Sequence, residues 1–334
     1  MTRGDLLSRQ NPVSMDRIGG GFLNIDKPAG WTSHDVVAKI RRSIRVKRVG
    51  HLGTLDPEAT GVLPICFGKG TKLSSILMDC DKEYEAVLRL GKETETQDAS
   101  GRMTASAPVP DSLRSASGLP SILKMMASFV GAYRQQPPMY SAIKINGVPL
   151  YKVARKGRVV ERPHRTLNIR SIRFLAMYEN DISYRVVCSK GTYIRTLCAD
   201  MGARLGCGGH LLSLRRIRSG SFLLNDAIDL ESFFERCKEG DWEKAATPMD
   251  AVLEAFPALW VKGRSLKKLL NGVQIQAADL EKWNRFRKGD SLRILDARGR
   301  LMALGLALRD AEEMLSQGTN AVGAFRIKTI LGAA

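Results

Sequence analysis

The chain has 334 residues, 44% of them hydrophobic, which is enough for a sizeable core and for more than one folded unit. Lysine and arginine total 52 against 34 acidic residues, a formal charge of +18 that favours a polyanionic partner such as nucleic acid. A membrane protein is disfavoured by the absence of any apolar run near 18 residues, and a zinc protein by six cysteines without a Cys-x-x-Cys pair.

Residues 1–19 mix arginines and aspartates without the apolar stretch of a signal peptide, and are expected to form a flexible N-terminal extension. Folded structure is expected from residue 22, where a short strand (22–28) meets a Pro-Ala-Gly turn. Thr32 and Asp35 have the spacing of a capping box, and Val36, Val37, Ile40 and Ile44 follow at helical intervals. The other faces of this helix carry Lys39, Arg41, Arg42 and Arg45, a solvated surface that also suits phosphate contact.

Residues 50–64 place Asp56 among Gly50, Gly53, Gly61, Pro57 and apolar neighbours. The glycines permit tight backbone paths, and Pro57 biases Asp56 away from helical angles. The carboxylate is therefore expected on a stiff loop, although an Asp-Pro turn that merely closes a hairpin has the same local pattern.

Alternation over 84–90 predicts a strand with Tyr84, Ala86, Leu88 and Leu90 on one side. Residues 121–133 look helical, and 183–188 form another strand, ended by Lys190 and Gly191. A helix begins near Thr192 with Ile194, Leu197, Met201 and Leu205 on its buried side, and the glycine-rich stretch 206–209 stops it. Strands and helices mix without regular alternation, which predicts an α+β fold on a mixed, largely antiparallel sheet.

Residues 134–165 interleave Arg134, Lys144, Lys152, Arg155, Lys156, Arg158, Arg162 and Arg165 with Tyr140 and Tyr151, and Glu161 is their one acid. Such a segment suits a grip on folded nucleic acid, and an ordinary solvated insertion has the same composition. From about residue 251 a small, basic, β-rich unit is expected, with strands at 291–296 and 301–308 joined by a turn at 296–299.

Other chemistries find little support. The Gly68–Thr71 stretch lacks phosphate-loop spacing, Ser33 and His34 are adjacent rather than arranged as nucleophile and base, and Cys207 with His210 lacks a second pair of metal ligands.

Several blocks together resemble the TruB family of tRNA pseudouridine synthases, which make pseudouridine 55 in the T loop. They are Leu23 to Pro28, the Asp56 loop, Asp81 to Tyr84, Gln136 to Lys144, the turn Lys190 to Arg195, and Leu214 to Arg216, all in the family's order. The resemblance implies a pseudouridine synthase domain over 20–250 with a thumb-like insertion at about 134–165. It also implies a PUA-like RNA-binding domain over 251–334. It further implies Asp56 as catalytic aspartate, Tyr84 as active-site tyrosine and Arg195 as the partner of that aspartate. His51, Asp98, Lys144, Tyr193 and Leu214 fall where the family lines its site or grips flipped nucleotides, and Arg155 belongs to the basic thumb.

Converting uridine to pseudouridine needs no redox step, phosphate transfer or net hydrolysis, so no cofactor is expected. An ionised Asp56 is required, burial would raise its pKa, and an adjacent arginine would lower it. Tyr84 can stack on uracil, yet its position among Leu88 and Leu90 equally suits core packing. The expected partner is the T stem-loop of tRNA, with no membrane and a monomeric, cytoplasmic enzyme. An RNA-binding or tRNA-folding protein whose main contribution is binding is the alternative; Asp56, Tyr84 and Arg195 argue against it, because a binder needs no carboxylate facing a polyanion.

Overall fold

The computed structural model describes residues 19–141, 143–145, 147–154, 156–158, 160–313 and 323–332. Strand β1 (Gly20–Lys27) leads through the Pro-Ala-Gly turn to helix α1 (Ser33–Ile44), then β2 (Val49–His51), β3 (Thr60–Gly68) and β4 (Lys82–Leu90). Helix α2 (Leu119–Ala127), β5 (Gly131–Gln135), β6 (Arg165–Tyr178) and β7 (Asp181–Cys188) follow. Helix α3 (Ile194–Arg204), β8 (Gly209–Ser219) and helix α4 (Leu230–Glu239) complete the larger part.

The main sheet runs β1-β3-β8-β4-β7-β6-β5, with β2 paired to β3. Its neighbours are antiparallel except β8 beside β3 and a short edge strand (Ile228–Asp229) that pairs with β1 in parallel, so the sheet is mixed and largely antiparallel as expected. Alternation in β4 buries Tyr84, Ala86, Leu88 and Leu90, the side anticipated from the period-two pattern. Against that face α1 packs Val36, Val37, Ile40 and Ile44, and α3 packs Ile194, Leu197 and Met201, forming one core. Thr32 and Asp35 make the capping box at the start of α1.

Two local expectations are corrected. The helix read over 121–133 ends at Ala127, because Gly131 takes φ +98° and opens β5, which carries Tyr133 into the core as a strand residue. Gly50 lies within β2 and takes no positive φ, unlike Gly53 and Gly61.

Toward the C-terminus, β9 (Ala258–Val261), β10 (Leu280–Trp283), β11 (Ser291–Leu295), β12 (Leu301–Ala307) and β13 (Phe325–Ile330) form a second sheet in the order β10-β9-β11-β12-β13. It has its own core around Leu259, Phe286, Ile294 and Phe325. The turn between β11 and β12 is built on Asp296, whose carboxylate accepts from the backbone N–H groups of Arg298 and Arg300, each at 2.9 Å. Leu304 and Leu331 join Phe22, Leu52, Val62 and Leu253 in a third apolar cluster, which packs this sheet onto the first.

Candidate active site

Asp56 sits on the loop between β2 and β3, and both of its neighbours are tied to the fold. On the N-terminal side, the buried Ser33 hydroxyl at the start of α1 accepts from the Leu55 N–H at 2.8 Å and donates to the Leu55 carbonyl at 2.9 Å. On the C-terminal side, the Pro57 carbonyl accepts from Gly30 N at 3.0 Å and from Lys27 Nζ at 2.8 Å. The Lys27 ammonium is fully buried and also donates to the carbonyls of Pro28 (2.8 Å) and Trp31 (2.7 Å), so all three of its protons are used. Burial holds the Lys27 pKa down at about 8, against the opposing pull of Glu58 and Asp56.

Beneath the loop lies a second buried cation. Arg216 of β8 is 1% exposed, and its guanidinium donates to the carbonyls of Val62 (2.6 Å) and Gly53 (3.0 Å). Gly61 makes this approach possible: it takes φ +97°, and a Cβ there would lie 2.2 Å from the Arg216 carbonyl oxygen. The apolar-looking loop is thus fastened by a lysine and an arginine that bond mainly to backbone carbonyls.

Arg195, in the first turn of α3, reaches Asp56 directly. Its Nε lies 2.9 Å from Asp56 Oδ2, and its Nη2 lies 3.4 Å from Oδ1. The remaining guanidinium donors go to the carbonyls of Thr96 (3.0 Å) and Tyr140 (2.9 Å), with Asp98 Oδ2 at 3.6 Å from Nη1. Every face of the group is occupied, which a planar fork of donors requires for a fixed orientation. Asp98 is held in turn by Thr96 Oγ1 (2.7 Å), Ser100 N (3.0 Å) and Ser100 Oγ (2.6 Å). Its loop is stitched to β8 through Leu211, which exchanges backbone bonds with Gln97 and Ala99.

The Asp56 side chain is 44% exposed, whereas that of Arg195 is 6% exposed. The carboxylate therefore faces outward while its partner is sealed behind it. It opens into a cleft of about 320 Å³ lined by Asp56, Asp98, Arg195, Leu211 and Leu214 among others. Although the carboxyl is partly open to the cleft, the surrounding protein removes enough water to push its pKa above the ordinary aspartate value. Arg195 opposes that rise and Asp98 adds to it.

The residues singled out in the sequence do not all meet at this cleft. Asp56, Asp98, Arg195 and Leu214 line it. Tyr84 is buried at 8% exposure in the core beside it; burial raises its phenol pKa, with Arg216 pulling the other way and Asp56 near enough to add to the rise. Tyr193 is the N-cap residue of α3 and sets the start of the helix that carries Arg195. His51 lies outside the cleft lining, with its ring edge-on to His34 at 5.4 Å between centroids and its Nδ1 accepting from Gly53 N at 3.3 Å. Burial, with help from His34 and Arg216, lowers the His51 pKa to about 4, so the ring is neutral near pH 7. The Lys144 side chain and the whole of Arg155 lie outside the described residues.

Lys27, Ser33, Thr96, Gln135 and Arg216 were not singled out in the sequence for any role at the site. Lys27 and Arg216 stand inside blocks that resemble the family, but a cation flanked by strand residues reads as exposed unless the inward side of the pleat is known. Ser33 marks a helix start and gives no sign that its hydroxyl braces a loop 22 residues away.

Residues 41–194 match the family described as TruB family pseudouridylate synthase (N terminal domain), and residues 195–256 match the tRNA pseudouridylate synthase B C-terminal domain. Curated relatives include "tRNA pseudouridine synthase B" of Alkaliphilus oremlandii, 46% identical over 76% of this chain and 82% of its own. The protein of the same name from Burkholderia pseudomallei is 39% identical over 86% of this chain and 93% of its own. Among solved structures, a Cbf5-Nop10-Gar1 complex is similar with TM-score 0.76 and 30% identity, over 97% of this chain and 88% of the matched one. An H/ACA RNP bound to a substrate RNA containing 2′-deoxyuridine is similar with TM-score 0.73 and 28% identity, over 96% and 87% of the two chains.

Proposed function

Because this chain belongs to the TruB family of pseudouridylate synthases, we propose that it isomerises uridine 55 in the T loop of tRNA, with Asp56 as the catalytic carboxylate. The observation that carries this reading is the Asp56–Arg195 pair, in which an outward-facing carboxylate is backed by a sealed guanidinium at 2.9 Å. A protein that only binds RNA gains nothing from an acid facing a polyanion.

The reaction breaks the N1–C1′ bond, turns the uracil, and joins C5 to C1′; the C5 proton leaves and N1 ends protonated. Atoms balance without an oxidant or a leaving group, so no cofactor is required. Asp56 assists by attacking the sugar or base, or by taking the C2′ proton on the way to a glycal. Each route needs the ionised carboxylate, which Arg195 favours against the local loss of water. Leu211 and Leu214 supply an apolar wall for the extruded uracil. Tyr84, buried in the core near Asp56, is proposed to stack on the extruded uracil; burial keeps its phenol protonated, so it does not itself take the C5 proton as a base.

His51 is proposed to take the place of the flipped base in the T loop. A neutral imidazole, fixed by Gly53 N and the His34 ring, suits stacking better than it suits a phosphate contact. The basic stretch at 134–165, with Lys144 and Arg155, is proposed to grip the tRNA as a thumb, and the C-terminal sheet to be a PUA-like RNA-binding unit. The enzyme is proposed to be a cytoplasmic monomer that works without a guide RNA. The 39–46% identity to relatives named as tRNA pseudouridine synthases, against 28–30% for the two solved neighbours, supports a tRNA substrate.

The test uses tRNA transcripts carrying C5-tritiated uridine, one normal and one with cytidine at position 55. Tritium release from the normal transcript alone is expected. Equal release from both would move the target elsewhere in the RNA.

A further inference from the structure

We propose that Gln135 is a positioning residue that couples the basic insertion to the catalytic arginine by clamping the peptide at which the Arg195 helix begins. The inference rests on the reading of Asp56 and Arg195 as the catalytic pair.

Gln135 is the last residue of β5, where the chain leaves the main sheet for the insertion, and it is 1% exposed. Its Oε1 accepts from Tyr193 N at 2.9 Å, and its Nε2 donates to the Tyr193 carbonyl, also at 2.9 Å. A side-chain amide bonded to both polar groups of one residue fixes that residue's rotation as well as its place. Tyr193 is the N-cap of α3, and its carbonyl also accepts from Leu197 N at 3.1 Å in the first turn. Arg195 is two residues on. A second tie runs through Tyr133, also of β5, whose hydroxyl bonds to the Asp200 carboxylate of α3 and accepts from Gln135 Nε2 at 3.3 Å.

The insertion also touches the other end of Arg195. Five residues beyond Gln135, the Tyr140 carbonyl accepts from Arg195 Nη2 at 2.9 Å. The two roots of the insertion are joined, since Gln136 Nε2 donates to the Arg162 carbonyl at 3.2 Å and Arg162 Nη1 donates to the Pro137 carbonyl at 3.0 Å. A shift of this root therefore acts on Arg195 twice, through its backbone by way of Gln135 and through its guanidinium by way of Tyr140. The chain segment rich in basic residues is wired to the group that keeps Asp56 ionised, so its seating on RNA and the alignment of the acid become one event.

The experiment compares wild type with Gln135→Met, which is nearly isosteric and removes both amide bonds, and with Tyr133→Phe, which removes one hydroxyl. Single-turnover pseudouridine formation is followed across pH, with tRNA affinity measured separately. For Gln135→Met the rate is expected to fall by about tenfold to a hundredfold, as loosened alignment of a reacting group does, with affinity held within about twofold. The acid limb of the rate profile is expected to move to higher pH. Asp56 is faced by Arg195 from α3, Asp98 from the 96–100 loop, Lys27 from β1 and Tyr84 from β4. The clamp acts on Arg195 directly and on the Asp98 loop through the bond from Thr196 Oγ1 to Gln97 Oε1 at 2.7 Å, whereas Lys27 and Tyr84 stand on other strands. Arg195→Lys fixes the direction of that movement. A merely structural role would lower the active fraction and leave the acid limb in place, and that result overturns the proposal. Should Gln135→Met not fold by circular dichroism, Tyr133→Phe decides: a smaller movement of the acid limb in the same sense supports the clamp, and an unmoved limb overturns it. Activity retained by Asp56→Asn is the separate result that would sink the catalytic reading, and the clamp with it.

Discussion

On one flank of the Asp56 loop a carboxylate stands beside a sealed arginine and opens into a cleft; on the other, His51 is packed against His34 and near Arg216, and is discouraged from taking a proton. Both side chains are withdrawn from water, which disfavours charge on each; at Asp56 the Arg195 guanidinium opposes that effect, whereas at His51 the neighbouring His34 and Arg216 add to it. The difference lies in what surrounds each group. Asp56 has a guanidinium with a matching fork of donors, whereas His51 has a second imidazole and a cation nearby, and neither stabilises an added positive charge. The lesson is that a strongly basic protein can keep one aromatic ring neutral for stacking while backing one acid with a guanidinium against the effect of burial, within six residues of the chain.

Short of removing Asp56 itself, the largest change is expected from Arg195→Ala, which leaves the carboxylate without its cation. The single-turnover rate should fall by about a hundredfold to a thousandfold, as when an oriented electrostatic partner is lost, with tRNA still bound. An activity near wild type would mean that the charged flank does not depend on the pair. Next comes Lys27→Met, which leaves the carbonyls of Pro28, Trp31 and Pro57 without a shared donor. Urea denaturation should register a loss of about 2–4 kcal/mol; an unchanged midpoint would show that the loop holds its shape without the buried ammonium.

The neutral flank makes its own pH prediction. The folded-state pKa of His51 is about 4, below the ordinary 6.5. The unfolded chain therefore binds the proton first on acidification, and the stability present above pH 6.5 is lost as pH falls from 6.5 toward 4. Replacing the ring by His51→Gln should remove roughly 1–3 kcal/mol of that acid-side loss. Parallel denaturation curves for the two proteins at pH 7 and pH 4.5 would check it, and identical acid sensitivity would contradict it. The smallest effects belong to the thumb: Lys144→Ala and Arg155→Ala should each flatten the salt dependence of tRNA affinity by about one phosphate contact. An unaltered slope would remove them from the binding account.

Much of this site is legible in the amino-acid sequence. The Asp56 loop has the glycines and proline that a stiff turn needs, and Arg195 stands at the start of a helix, where the helix dipole gives a cation no help. The braces are not legible there. In the pair Arg215 and Arg216, the first reaches Asp26 at 2.7 Å with 40% of its side chain exposed, while the second is buried under Gly53 and Val62. Only the inward side of β8 decides which is which. Lys27 is hidden for the same reason. Its three acceptors lie within the chain's own turns and take all its protons, with Glu58 and Asp56 near enough to favour its charge. The helix expected over 121–133 is too long because the apolar pattern runs on through Phe129 and Tyr133, whereas the chain leaves the helix after Ala127 with Phe129 buried in the turn, and Gly131 opens a strand that buries Tyr133.

The most direct test of the central claim is tritium release from C5-labelled uridine in an unmodified tRNA transcript, with wild type and Asp56→Asn side by side, no cofactor added, and tRNA affinity measured for both. Release by wild type alone, with affinities within several-fold of each other, is the result the paired carboxylate requires. Release by Asp56→Asn at a comparable rate would contradict it.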